Sequence, residues 1–328
     1  MPMKLWGVAV VRNEADVIEA FVRHNLTVLD GLLVVDHRST DQTPGILGLL
    51  RDEGLPLLIE SDRRVGFYQD EVMTSAVRRT FSATGADFVF ALDGDEFVRA
   101  RSRPLLESVL GGLPSQMHAA LRWQTYVPDF GEDISDFVEL ARRSKRLETE
   151  RHGAFKVIVA RHFLDTPDAL IIDGNHSVFP RPGLPPGTTA PQAAISTEVA
   201  ALAHMPIRSR RQFVGKVATT WLGRTAVGRS YRPDLQTVAA YNAIRSGESL
   251  TAEFLLDQAV NWTVKRDQRL RAGEVNLLQD SFLADIALRY TPPSASDPLL
   301  RILVVAEDLA SELARLRRQT MASTGPSA

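Results

Sequence analysis

Residues 87–98 read DFVFALDGDEFV. Five consecutive apolar residues, Phe88 to Leu92, predict a strand buried on both faces, because a strand with one wet face would alternate polar and apolar side chains. Three carboxylates, Asp93, Asp95 and Glu96, follow at once. Carboxylates this close repel one another unless a cation or a positively charged ligand neutralises them. A turn alone would account for Asp-Gly-Asp. A central strand, however, delivers its exit residues to the ligand-binding rim of an α/β sheet, which points to a hard divalent ion. Magnesium and manganese favour oxygen ligands and commonly take one or two carboxylates together with substrate phosphates, so bound phosphates are implied.

Upstream of this stretch the same architecture repeats. Leu5 to Val11 reads as a strand, Ala15 to Leu29 as a helix with Val17, Ile18, Phe21, Val22 and Leu29 near the 3.6 period, and Leu32 to Val35 as a second strand. Thr43 to Asp52 (helix), Leu57 to Ile59 (strand) and Gln69 to Ala83 (helix) complete a βαβαβαβ rhythm. Such alternation predicts an α/β fold, a mainly parallel twisted sheet flanked by helices, with ligands at the carboxyl ends of its strands.

Downstream the rhythm loosens. Ala119 to Val127 and Ala154 to Val159 read as strands of a mixed region, and residues 179–189 (FPRPGLPPGTT) as a Pro- and Gly-rich loop placed to act as a lid. Beyond Ser209 helices are expected over Arg210 to Thr220, Asp234 to Ser246, Thr251 to Asp267 and Pro298 to Arg318. Three regions result: 1–103, 104–208 and a C-terminal helical region 209–328. Leu255, Leu256, Ala259, Val260, Trp262 and Val264 offer apolar surface that must pack on the rest of the chain or on a second copy, and a homodimer through the C-terminal helices is one outcome.

Composition narrows the function. Hydrophobic residues make up 44% and charged residues 24% of the 328, the profile of a folded globular protein. Lys+Arg of 38 against Asp+Glu of 40 leaves a net charge of −2, so no global positive field draws a nucleic acid. Zero cysteines exclude disulfides, thiolate nucleophiles and Cys-ligated metal centres. No apolar run approaches the roughly 20 residues of a membrane span, and the run ending at Val11 meets Arg12-Asn13-Glu14 rather than a small-residue cleavage site. A cytoplasmic protein is expected.

Two further polar clusters follow strands: Arg12-Asn13-Glu14 after the first, and residues 36–41 (DHRSTD) after the second. Ser39, Thr40 and Asp41 are placed to cap the next helix, which leaves Asp36 free at the strand tip to accept hydrogen bonds from a nucleobase or ribose. Lys156, Arg64 and Lys216 are available to a diphosphate, although a basic residue is more often a solvated surface charge.

Taken in order, residues 8–28 (VAVVRNEADVIEAFVRHNLTV), 32–43 (LLVVDHRSTDQT), 66–72 (GFYQDEV) and 87–98 resemble the nucleotide-binding half of glycosyltransferase family 2, in the branch with V-R-N-E, D-x-x-S-x-D-x-T and D-x-D-E-F motifs. The resemblance covers residues 4–98 and continues more faintly to about residue 216, through GAFKVIVARHF, DGNHSVF and LAHMPIRSRRQFVGK. It implies a GT-A fold whose D-x-D binds the divalent ion, Mn2+ or Mg2+, that bridges a donor diphosphate. Carried onto this chain, Val11, Arg12 and Glu14 approach the base, Asp36 contacts base or ribose, Asp93 faces ribose and metal, and Asp95 is the principal metal ligand. A late histidine also ligates the metal in related enzymes, which points to His204, with His176 as rival and a satisfied core histidine as the bland reading. The chain departs from the pattern at His37-Arg38, where a Gly-rich turn is usual. Nor does it match the family's Glu-Asp base pair clearly, although Glu132-Asp133 has the letters.

These readings together predict a metal-dependent, inverting glycosyltransferase moving a sugar from a nucleoside diphosphate donor, a UDP-sugar, to an acceptor hydroxyl, with Asp173, His176 and Asp129 as candidate general bases. A haloacid-dehalogenase-like phosphatase also places D-x-D after an apolar strand, but normally after the first strand of the chain. A non-catalytic nucleotide-sugar-binding protein is the third reading.

Overall fold

The computed structural model describes residues 2–132, 134–150, 155–181, 183–185, 187–228, 236–262, 264, 268–293 and 297–323. The first half runs β1 (Leu5–Val11), α1 (Ile18–Asn25), β2 (Gly31–Asp36), α2 (Thr43–Asp52), β3 (Leu57–Ser61), α3 (Gln69–Thr84), β4 (Phe88–Leu92), β5 (Glu96–Ala100) and α4 (Arg103–Gly111). It continues with β6 (His118–Val127), α5 (Phe137–Arg143), β7 (Lys145–Leu147), β8 (Phe155–Ala160), β9 (Leu170–Ile171), β10 (Val178–Phe179), β11 (Gln192–Ala194) and β12 (Ala200–His204). Helices α6 (Arg210–Ala226), α7 (Gln236–Ser246) and α8 (Ala252–Val260) follow, then β13 (Leu277–Gln279) and α9 (Pro298–Ser323).

The fold is the expected α/β class, with a C-terminal helical extension. Strands β3, β2, β1 and β4 are parallel neighbours in that order, with Val8 registered against both Leu33 and Ala91. Beyond β4 the sheet becomes mixed: β8 runs antiparallel to both β4 and β6, while β11 and β12 pair parallel with β6. Because β1, β2 and β4 point the same way, the turns at 12–14, 36–41 and 93–95 come out on one rim.

Two packed faces hold the sheet. All five side chains of β4 are buried, and they divide by the strand period. Phe88, Phe90 and Leu92 face the side that α1 and α2 cover with Phe21, Ile46 and Leu47. Val89 and Ala91 face Met73, Ala76 and Phe81 of α3. Each such large side chain stabilises the fold by roughly 1.5–3 kcal/mol through burial, which is why an unbroken apolar run was legible as a central strand. A third core gathers Phe213 and Val217 of α6, Ala240 and Ala243 of α7, and Leu255, Ala259 and Val260 of α8 against Val127, Leu147 and Ile207. The apolar surface expected on residues 255–260 is thus covered by this chain itself. Leu299, Leu300, Leu303, Leu313 and Leu316 of α9 remain exposed.

Several boundaries differ from the sequence reading. Helix α1 starts only at Ile18, because the Glu14 carbonyl accepts the N–H groups of Val17 and Ile18 in a preceding turn. Helix α8 stops at Val260, and Asn261 turns the chain by bonding both backbone groups of Leu270. Strand β5 was not foreseen; it pairs antiparallel with β12, with Glu96 opposite His204. The capping role assigned to Ser39 and Thr40 also needs correction, whereas Asp41 does hold the start of α2, its Oδ1 accepting the Thr43 N–H at 2.9 Å. The α2 N-cap is Gln42, without a side-chain bond. Ser39 Oγ accepts the Asn13 N–H at 2.9 Å, the Thr40 N–H donates to Asn13 Oδ1 at 2.7 Å, and Asp41 accepts from Ala15 N–H and Thr43 N–H. These residues tie the β2 turn to the β1 turn, a long-range use that short polar side chains share with caps. No helix among the described residues is long and apolar enough to cross a membrane.

Candidate active site

The β4 exit builds the floor of the site. Asp93 is held by three donors: Lys156 Nζ at 2.5 Å, Gln69 Nε2 at 2.9 Å and Asn175 Nδ2 at 3.0 Å. Its backbone N–H donates to Glu96 Oε2 at 2.8 Å, and Glu96 Oε1 accepts the Trp123 indole N–H at 2.8 Å. Lys156 is fully buried, yet its ammonium stands 3.3 Å from Glu96 as well. Burial alone would lower its pKa; Asp93 and Glu96 outweigh that and hold it above the ordinary lysine value. Burial pushes the Glu96 carboxyl up against the pull of Lys156, with Asp93 and Asp95 adding to the rise.

Between the two aspartates, Gly94 lets the turn approach β1: a Cβ there would lie 3.2 Å from Val11 Cγ1 and 3.4 Å from Glu14 Cγ. Asp95 is then buried beside Lys216, whose ammonium it binds, with His204 Nε2 4.0 Å from its other oxygen. Burial would raise the Asp95 pKa, but Lys216, with Arg208 adding to the pull, holds it below the usual carboxylate range. His204 is driven down to about 3 by burial, despite Asp95, and is a neutral imidazole.

These residues pass a chemical test for a divalent ion. Two donor atoms each about 2.1 Å from one ion lie at most about 4.2 Å apart, and the Asp95–His204 separation falls inside that limit. The same separation is too long for a hydrogen bond, and His204 Nδ1 is buried without a partner. Among the described residues no group of three or more His, Asp or Glu side chains forms a metal cage. Magnesium normally takes one or two carboxylates and completes its shell with substrate phosphates and water, while an imidazole beside the carboxylate suits manganese better. Asp93, by contrast, has its carboxylate engaged by Lys156, Gln69 and Asn175.

A cavity of about 220 Å3 opens over this floor, lined by Asp93, Asp95, Lys156, His204, Lys216 and Glu14, with Trp123, His176, Gly174, Phe67 and Trp262 among its other walls. A second cavity, of about 130 Å3, shares Glu14, Phe67, Lys216 and Thr220 with the first and adds Arg12, His37 and Arg301. Glu14 is fixed there by Arg208, a buried guanidinium that reaches Glu14 at 2.5 Å and Asp16 at 2.8 Å.

The other residues singled out from sequence fall in different places. Val11 is a core side chain whose carbonyl accepts the His37 N–H. Asp36 is 8% exposed with Oδ1 buried and unpartnered, and burial raises its pKa; neither it nor Val11 lines either of these two cavities. Arg12 Nε is also buried without a partner. Arg64 lies outside both cavities, its head group engaged by Asp62 at 2.8 Å and Glu71 at 2.7 Å. Asp173 pairs with Arg224. Asp129 lines a separate cavity with Phe130, Lys145 and Leu256. Glu132 pairs with Arg143 at the surface, and Asp133 lies outside the described residues. His176 does line the main cavity: its Nδ1–H donates to the Phe155 carbonyl at 2.7 Å, which leaves Nε2 as the unprotonated nitrogen. Burial holds it below the ordinary histidine value.

Gln69, Trp123, Asn175 and Arg208 went unassigned in the sequence. Gln69 and Asn175 stand inside the quoted GFYQDEV and DGNHSVF segments, but only the fold brings them to Asp93.

No family model and no curated protein matches the chain. Among solved structures it is similar to mannosyltransferase PcManGT from Pyrobaculum calidifontis in complex with GDP-Man and Mn2+ (TM-score 0.36, 16% identity, over 80% of this chain and 72% of that one). It is also similar to glucosyl-3-phosphoglycerate synthase from Mycobacterium tuberculosis in complex with Mn2+, UDP and glucosyl-3-phosphoglycerate (TM-score 0.25, 20% identity, over 37% of this chain and 43% of that one). The match therefore spans less than half the length of the synthase.

Proposed function

We propose that the protein is a metal-dependent glycosyltransferase with a GT-A fold of the family 2 type, moving a sugar from a UDP-sugar to an acceptor hydroxyl with inversion. The observation that carries this reading is the convergence of Asp95, His204, Lys156, Lys216 and His176 on one cavity at the carboxyl ends of the sheet. Asp95 and His204 would hold Mn2+ or Mg2+, and the ion when bound neutralises charge on the departing diphosphate. Lys156 and Lys216 supply fixed positive potential to the same charge, inside a cavity where such groups act more strongly than in water. We assign the base or ribose to Arg12, which lines the smaller cavity, and, from the sequence pattern, to Asp36, whose Oδ1 is buried and unpartnered.

Inversion requires a group that takes the acceptor proton, and His176 is suited to it. The Phe155 carbonyl fixes its tautomer with a lone pair on Nε2, and its depressed pKa keeps it neutral near pH 7. The exposed leucine face of α9 is the surface we assign to a homodimer, and the cytoplasm is its expected compartment. The direct test is release of UDP from a panel of UDP-sugars with Mn2+ and hydroxyl acceptors. Turnover abolished by EDTA supports the transferase. Binding without turnover across the panel supports a donor-binding protein, and hydrolysis of an aryl phosphate supports the phosphatase.

A further inference from the structure

Helix α9 lies more than 200 residues from the β1 and β2 turns in sequence, yet it grips both. Arg301, buried to 4% exposure, donates to the carbonyl of Asn13 and stands 3.6 Å from Asp41 Oδ2. It also lines the smaller cavity beside Arg12 and Lys216. Seven residues on, and so on the same face of the helix, Asp308 pairs with Arg38, accepting from its Nε at 3.0 Å. Arg38 in turn donates to the Arg63 carbonyl at 2.9 Å.

The two gripped residues share an uncommon backbone conformation. Asn13 and Arg38 both have φ of 56°, in the left-handed region that favours glycine. Non-glycine residues persist there when the surroundings over-determine them, and such strain gathers at binding sites. Here the over-determining contacts come in part from α9, one on the Asn13 carbonyl and one on the Arg38 side chain. Arg12, which lines the smaller cavity with Arg301, and Asp36, the two residues assigned above to the base or ribose, adjoin these turns in sequence.

We propose that α9 is a working wall of the nucleotide site, with Arg301 and Asp308 as positioning residues that hold the two turns in the conformation that accepts a nucleoside diphosphate. The proposal rests on the glycosyltransferase reading above. Asp308→Asn keeps the shape and removes the charge that orders Arg38; Arg301→Lys keeps the charge and loses the guanidinium Nη2 that reaches both Asn13 and Asp41. Arg211→Ala is the control, because Arg211 pairs with Asp297 at the foot of α9, 3.1 Å away, and touches neither turn in its described contacts.

Calorimetry with UDP and with GDP in the presence of Mn2+, alongside thermal unfolding, distinguishes the outcomes. We expect Asp308→Asn and Arg301→Lys each to weaken UDP binding about fivefold or more, the loss of one charge-assisted contact, with the UDP-to-GDP preference altered. Arg211→Ala should bind as wild type. Wild-type affinity in both rim variants, or an equal loss in Arg211→Ala, overturns the proposal by reducing α9 to a docked helix. A wild-type protein that binds neither nucleotide overturns the functional reading itself, and that failure shows in the wild-type arm alone.

Discussion

The imidazole of His204 lies on the indole of Trp123, ring centroids 4.1 Å apart and 19° from parallel, with Nε2 directed to Asp95 Oδ1 at 4.0 Å. Stacking fixes the plane of the ring, and burial keeps it neutral, so Nε2 is held beside the Asp95 carboxylate at no further cost in ordering. Trp123 is held in turn by Glu96, which makes the orientation of the His204 ring depend on the same four-residue run that carries Asp95.

A neutral imidazole suits manganese better than magnesium, so His204→Ala should narrow the preference for Mn2+ and lower turnover by about 10- to 100-fold. UDP measured without metal should bind nearly as before. Initial rates with each ion check this. If His204→Ala keeps wild-type turnover and the same ion preference, His204 is a core histidine.

Loss of the proposed base has a different signature. His176→Ala should cut turnover by roughly 10²- to 10⁴-fold while leaving UDP affinity intact, and should remove an acid limb that lies below the ordinary histidine value of about 6.5. Gly174→Ala gives a second reading of the same ring. Gly174 has φ of 84°, and a Cβ there would lie 2.7 Å from His176 Nε2, so the substitution should displace the imidazole. A pH–rate profile with an unchanged acid limb in His176→Ala would remove it from the mechanism.

The β4 run and the turns around it were legible because burial on both faces leaves an unbroken apolar signature, and because carboxylates concentrated at a strand exit are costly without a partner. Asp95 was singled out that way, whereas His204 rested on the family resemblance and Lys216 was offered only to a diphosphate; the fold brings both to Asp95. Arg64 shows the limit of that reasoning: a basic residue after a strand has the right chemistry, but Asp62 and Glu71 engage it outside the cavity. The grip of Arg301 and Asp308 on the first two turns could not be read either, since nothing in local periodicity says where a helix at residue 298 will dock. The same is true of β5, whose five residues acquire strand character from pairing with β12.

Buried neutral histidines make stability depend on acid. Burial drives His24 to about 4, opposed by its bond to the Val98 carbonyl, and drives His118 to about 4, with His162 adding to the fall. The unfolded chain, with histidines near 6.5, binds more protons than the native state between about pH 6.5 and 4. Stability is therefore complete above that window, falls as pH drops through it and levels off below, by up to roughly 3 kcal/mol per histidine. Urea unfolding at pH 7.5, 5.5 and 4.5 should show a shallower acid loss in His118→Gln than in wild type. Identical slopes would place the proton uptake elsewhere.

The metal-dependent binding of a nucleoside diphosphate at Asp95 is tested most directly by calorimetry of UDP with wild type and Asp95→Asn, each in Mn2+ and in EDTA. Wild type should bind UDP at least about tenfold more tightly with Mn2+ than with EDTA, a difference of about 1.4 kcal/mol, and Asp95→Asn should bind equally in both. Equal affinity of the wild-type protein with Mn2+ and with EDTA would contradict the account, because the Asp95 carboxylate after β4 and the His204 imidazole at the end of β12 would then hold no ion for the donor.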